Sequence, residues 1–397
     1  MQSDLQNPLI ERKLATAAWI GWLIFFTGVA ILVAHKPDAH EDCHVYANAS
    51  HDWWAGMDVY GRNHSIDGFL YFPQFAILYT PFYLMGLLYG GLAWRALAWI
   101  LYSTGVWRVS RILAPRNYLA VFALMTAAAM PQGIASLRNG QANLHIAGLM
   151  LQTAAELYQR NWWRATLWLV AGVVIKPIMI VMLLLSAAVY RPLIPRLVFG
   201  LILVAFCPFA TQHADYVITA FRKYHDVLKV SSEPPNPYCN IRGLFWHMGW
   251  KMSQSAFQVM SLLAAGVILL LCLQASWRRS ESVRLYYLLG FAAVFLMLFN
   301  PRTESNSYVM LAPIVAFPAA VLVVVLNRPR PAMWLYVMSF MLLCDGWAYR
   351  WTENWLKPLT CVVMWGLLMW RLFEPPTDIE LAPTAVTQSS DAAPAAV

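Results

Sequence analysis

Stretches of about 20 residues with almost no charge recur along most of this 397-residue chain, and they leave the backbone few choices. Hydrocarbon offers no water to pair with N–H and C=O groups, so a spanning segment must satisfy them within a helix or a closed barrel. The runs are continuous and do not alternate in polarity, which argues against a barrel. Composition agrees. With 60% hydrophobic and 12% charged residues, and a mean hydropathy of +0.52, the chain is far from a soluble domain. The expected class is an all-α polytopic membrane protein.

The net charge of +8 does not point to nucleic acid, because the basic residues sit in short connectors between apolar runs. Topology explains them. The polar start, 1–13, ends in Arg12 and Lys13 and is expected in the cytoplasm. It leads into a first run at 14–34, which carries no cleavage signature and reads as an uncleaved anchor. A polar, aromatic-rich loop follows at 35–68. If 73–88 lies in or dips into the outer interface, Arg108, Arg111 and Arg116 fall inside after a span at 91–110. The same choice places Arg160 and Arg164, Arg191 and Arg196, Arg278, Arg279 and Arg284, and Arg328 and Arg330 inside. Further spans are expected at 118–135, 142–159, 164–175, 177–190, 194–210, 255–275, 284–300, 307–327, 331–348 and 357–373, about twelve in all. The pair 164–175 and 177–190 is short and reads as a hairpin broken at Lys176-Pro177. The spanning domain thus covers 14–373, with outer loops at 35–90 and 211–254. The tail 374–397, rich in Ala, Pro, Thr and Ser, is expected to be disordered in the cytoplasm.

This topology gathers the polar chemistry on the outer face. Glu41 and Asp42 stand in the first outer loop, where a carboxylate at the membrane surface suits general-base work. Asp42 ranks first as base, then Glu41, then Asp58; the plainer alternative for Asp42 is a helix cap. Lys176, at an interrupted helix, is placed to meet an anion or else to snorkel to the interface. Arg138 and Arg302 flank outward span ends and either share that anion or anchor the helices. Gln141 and Asn143 offer amides to sugar hydroxyls or phosphate, or cap a helix start. Tyr46 and Tyr60 beside the acidic pair suit sugar stacking. His225, Asn240 and Arg242 in the large loop are candidates to orient an acceptor. Glu304 lies in the polar run 302–308, which either borders the cavity or makes a plain turn. The first loop holds His40, His44, His51 and His64 but no Asp-x-Asp or compact ligand set, so no metal or cofactor is expected. Six cysteines follow no metal spacing; Cys43 and Cys239 fall in outer loops, and a disulfide between them stays open.

Asp42 through Tyr60, then Tyr71-Phe72-Pro73, then Asn139-Gly140-Gln141-Ala142-Asn143, then Lys176-Pro177, in this order and spacing, resemble the membrane glycosyltransferases of family 87. These have the GT-C fold and are similar to polyprenol-phosphate-mannose-dependent mannosyltransferases. The resemblance covers roughly residues 14 to 330. It implies an inverting sugar transfer, most simply of mannose, from a polyprenyl-phosphate donor to a glycan or glycolipid acceptor outside the bacterial inner membrane. It also implies that Asp42 is the base, that Lys176 meets the donor phosphate, and that 52–60 and 73–88 are juxtamembrane helices. Two departures stand out: Phe72-Pro73-Gln74 replaces a more usual double proline, and Asn236 to Gly243 matches only loosely. Two other classes remain. A secondary transporter should show internal repeats and ionisable residues at mid-span, neither of which is evident in the sequence. A polysaccharide ligase or polymerase should rely on arginines and a histidine in place of an early carboxylate.

Overall fold

The computed structural model describes residues 7–36, 41–61, 68–231, 238–343, 352 and 354–375, and every regular element among them is helical. Expectations resting on His40, His64, Asn236, Cys344 and the tail from 376 lie outside the described residues. The first run is α1 (Pro8–His35). The acidic loop contains α2 (Glu41–Trp54), followed by α3 (Pro73–Leu84), α4 (Gly86–Leu113), α5 (Tyr118–Ala129) and α6 (Ile134–Asn139). Next come α7 (Asn143–Tyr158), α8 (Trp162–Ile175), α9 (Ile180–Val189) and α10 (Ile194–Phe206). The large loop holds α11 (Ala214–Ser231) and α12 (Ile241–His247), and α13 (Gln254–Arg278), α14 (Glu281–Phe299), α15 (Ala312–Val324), α16 (Pro329–Leu343) and α17 (Leu356–Phe373) complete the bundle.

Among the described residues, seven helical segments are long and apolar enough to cross a membrane, or up to eight if the bent pair α3 and α4 is one span. The count stays below twelve where apolar helices are shorter than a crossing, as at Trp162–Ile175 and Pro177–Val189. Pro177, Pro192 and Pro208 each lie in a single 3-10 turn between or after helices. The break at Lys176-Pro177 is present as expected, separating α8 from α9. Helices α3 and α4 meet at 115° across Met85 and Gly86, where Gly86 has φ +76°. Residues 73–84 therefore do not continue the axis of α4, in line with a segment that dips without crossing.

The expected helix at 52–60 is displaced. Helix α2 begins at Glu41, so Asp42 lies in its first turn, and 55–61 are turns. The reason lies in a buried face that polar neighbours obscure: Cys43, Tyr46, Ser50 and Trp53 recur at helical spacing and are all buried against the bundle. Ser50 Oγ donates to the Ala76 carbonyl of α3 at 2.7 Å, tying the two juxtamembrane helices together.

Helices α4 and α7 form the most extensive pairing, and small residues allow it. A Cβ on Gly148 would lie 2.8 Å from backbone atoms of Leu101 and Tyr102, and one on Gly105 would lie 2.8 Å from Leu151 Cβ. At the far end of the same seam Arg108 pairs with the buried Glu156 at 2.8 Å and donates to Gln152 at 2.6 Å. Replacing Gly148 by Ala forces the helices apart and is expected to cost about 1–3 kcal/mol. Gly266 on α13, where an added Cβ meets nothing within 4 Å, is the matched control. Thermal unfolding in detergent should show a lowered midpoint for Gly148→Ala and none for Gly266→Ala.

Candidate active site

Four breaks in helical structure converge at one end of the bundle: the first turn of α2, the turn between α6 and α7, the α8–α9 break, and the segment from Asn300 to Asn306. The second of these is built by glycine. Gly140 closes α6 in a left-handed conformation at φ +73°. Its N–H donates to Leu137 O at 3.2 Å, and the next N–H, of Gln141, donates to Ser136 O at 2.9 Å. This is the Schellman ending of a helix, and it turns Gln141 out of the helix path.

Arg95 of α4 adds donors to the carbonyls at that helix end. Its guanidinium donates to Leu137 O and Arg138 O, both at 2.9 Å, to Gly91 O at 2.9 Å, and to the Cys43 sulfur at 3.2 Å. Arg95 is 2% exposed, so its charge is affordable only because so many acceptors surround it. Trp94 completes the clamp, with its indole N–H donating to Gly140 O at 2.9 Å. One arginine thus joins the helix carrying Asp42 to the turn carrying Gln141.

Proline shapes the third break. The residue before a proline is driven out of helical geometry, and Lys176 accordingly takes extended dihedrals of φ −150° and ψ 117°. Its ammonium donates to Asn143 Oδ1 at 2.6 Å. Asn143 donates onward to Gln141 Oε1 at 3.3 Å and to Asn306 Oδ1 at 2.8 Å. Gln141 in turn donates to Glu304 Oε2 at 3.0 Å. A directed chain of amides therefore runs from the lysine to the Glu304 carboxylate.

Burial pushes the Asp42 carboxyl up to about 7 and the nearby Glu304 charge adds to the rise, while Lys176, Arg95 and the Gln141 hydrogen bond oppose it. Tyr71 stands beside these carboxylates; its hydroxyl shares a 2.8 Å hydrogen bond with that of Tyr46, and its carbonyl accepts from Tyr60 Oη at 2.8 Å. Burial raises both the Tyr46 and the Tyr71 hydroxyls, so they act as neutral hydrogen-bonding groups. Arg302 lies over the Tyr238 ring at 5.4 Å, and one of its buried nitrogens, Nη1, has no hydrogen-bond partner. Its charge lies close enough to repel that of Lys176.

Of the residues picked out in the sequence, Asp42, Lys176, Gln141, Asn143, Glu304 and Arg302 share this cluster, with Tyr46 and Tyr60 bracing it through Tyr71. The others stand apart. Asp58 accepts from Tyr60 N at 3.1 Å and pairs with Lys223 of α11. The Arg138 side chain is exposed and contributes its carbonyl only. His225 is exposed on α11 beside Asp226. Asn240 caps α12 and holds the carbonyls of Asn300 and Pro301, while Arg242 donates to Gln254 at 2.8 Å. Glu41 opens α2. Cys43 and Cys239 are buried thiols with no disulfide between them.

Arg95 was not singled out in the sequence, whereas Tyr71 entered as part of the Tyr71-Phe72-Pro73 motif and Asn306 as part of the polar run 302–308. Two ionisable residues are buried near the ends of expected spans, Arg95 within α4 and Glu156 within α7. An arginine interrupting an apolar run was the available signal. Replacing Arg95 by Met should free the α6 carbonyls and uncover the Cys43 thiol, whose ionisation burial now suppresses. Maleimide labelling followed by peptide mass analysis is expected to be slow at Cys43 in the native protein and fast in Arg95→Met.

No curated protein matches the chain. The sequence profile of glycosyltransferase family 87 matches residues 69–301, a segment that starts beyond Asp42 and takes in Tyr71, Gln141, Asn143 and Lys176. With more than half of its length matched, this multi-pass membrane protein belongs to glycosyltransferase family 87.

Proposed function

We propose that this glycosyltransferase moves a hexose, mannose being the simplest candidate, from a polyprenyl-phosphate donor to a glycan or lipid-linked acceptor on the outer face of the bacterial inner membrane. The observation that carries the proposal is the single cluster in which Lys176 lies within electrostatic reach of both Asp42 and Arg302. A hydroxyl is a poor nucleophile, so Asp42 takes its proton as the new bond forms at the anomeric carbon. The bond from that carbon to the phosphate oxygen breaks, and its electron pair leaves with the lipid phosphate. Lys176 and the unpaired Nη1 of Arg302 stabilise the charge that grows there. One base and one displacement give inversion; no cofactor is needed for this chemistry.

The alkaline form of Asp42 is the active one. Because its carboxyl titrates at about 7, kcat/KM should climb as pH rises through that value, and protonation should silence the enzyme below it. Purified protein in nanodiscs, given radiolabelled polyprenyl-phosphate hexoses and a membrane acceptor extract, supplies the assay. Asp42→Asn should lower kcat by about 10²–10⁴-fold with donor binding kept. Lys176→Met should instead raise the donor KM. Full turnover by Asp42→Asn would exclude this base.

A further inference from the structure

Asn143 is the amide whose orientation is fixed most firmly by the chemistry around it. An ammonium only donates and an ionised carboxylate only accepts, so the two ends of the chain, Lys176 and Glu304, dictate how the amides between them point. The Asn143 atom that faces Lys176 at 2.6 Å is therefore its oxygen. Its NH2 then faces away, and both groups it meets there present oxygens, Gln141 Oε1 at 3.3 Å and Asn306 Oδ1 at 2.8 Å. Gln141 accordingly turns its own NH2 to the Glu304 carboxylate at 3.0 Å. Turning any of these amides over would set like atoms against each other.

Burial separates Asn143 from its partners. It is 0% exposed, whereas Lys176, Gln141, Glu304 and Asn306 are each partly exposed. A molecule entering the cluster reaches the ammonium and not the amide beneath it. Among the described residues, the side-chain hydrogen bonds of Asn143 go to Lys176, Gln141 and Asn306 and none to the first turn of α7, so capping is not its work. Asn306 is braced in turn, since Ser136 Oγ donates to its carbonyl at 3.2 Å and Lys357 of α17 donates to the neighbouring Ser305 O at 2.9 Å. The choice of an amide matters as well. A carboxylate at 143 would hold the lysine as firmly but cancel its charge, whereas a neutral oxygen aims the ammonium and leaves the charge for an anion.

From this geometry we propose that Asn143 is a positioning residue that touches no substrate: it takes one N–H of Lys176, is locked in that orientation by Gln141 and Asn306, and so turns the rest of the ammonium, its charge uncancelled, toward the phosphate of the lipid donor. This role rests on Lys176 meeting that phosphate, and it replaces contact with sugar hydroxyls as the work of the amide. An ammonium on a flexible stem is a poorly directed point charge, and a fixed acceptor behind it supplies the direction.

Acylation of Lys176 by acetic anhydride in the full-length protein in nanodiscs, at one fixed pH and read by peptide mass analysis, tests this, with the exposed Lys229 as internal reference. Only a neutral amine acylates. Asn143→Asp adds a charge that favours the ammonium and should slow labelling about tenfold, whereas Asn143→Leu removes an acceptor that favours it and should speed labelling. A general loss of packing would speed both. Farnesyl phosphate should protect Lys176 in the native protein, and the concentration giving half protection should rise about tenfold in both variants. Labelling that changes in the same direction in the two variants, or half protection unchanged in either, overturns the proposal. If the Asn143 variants do not fold, Asn306→Ala, which unlocks the amide but keeps Asn143 and Lys176, should raise the half-protecting concentration, and an unchanged value overturns the proposal. Absence of protection in the native protein brings down the donor-phosphate reading and this proposal together, whereas native protection that the variants leave untouched brings down this proposal alone.

Discussion

The hydrogen-bonded amides that link a lysine to Glu304 are what the rest of this molecule is arranged to hold. Charges placed among apolar helices are tolerated only when every donor and acceptor around them is used, and a half-satisfied network would be worse than none. Here Lys176, Asn143, Gln141 and Glu304 are joined in one direction of donation, so each bond polarises the next. None of these residues is close in sequence to all the others. Their meeting depends on a glycine turn, a proline break and a buried arginine, and each of those is a local rule of backbone chemistry.

Much of the fold was legible because its cause is local. Apolar runs mark the helices, the proline after Lys176 marks the broken hairpin, and Asn139-Gly140 marks a helix end. Helix α2 was obscured because its buried face of Cys43, Tyr46, Ser50 and Trp53 is interleaved with polar residues and two of its members are not strongly apolar. Among the described residues, seven helical segments are long and apolar enough to span by themselves. Hydropathy counts every apolar stretch, whereas helices of 10 to 16 residues such as α7, α8 and α9 fall short of a membrane's thickness.

The candidate site was legible by residue type more than by partnership. Asp42, Lys176, Gln141, Asn143 and Glu304 each stood out alone, and only the folded chain links them. Residues chosen because they were polar and in outer loops divided differently. Asp58 and Arg242 are spent on fastening α11 and α13, and Asn240 on capping α12. Arg95 was overlooked since its work is done on backbone carbonyls, which a sequence does not display.

The close approach of Gly140 to Cys43 carries a last implication. A side chain at 140 would collide with the sulfur at 43, and the left-handed backbone there resists any such residue regardless. Neither position can drift freely during evolution, since a bulkier atom on either helix would wedge the acid away from its amide. The two positions are thus coupled sterically, and a lock roughly one atom wide guards the register of the whole centre.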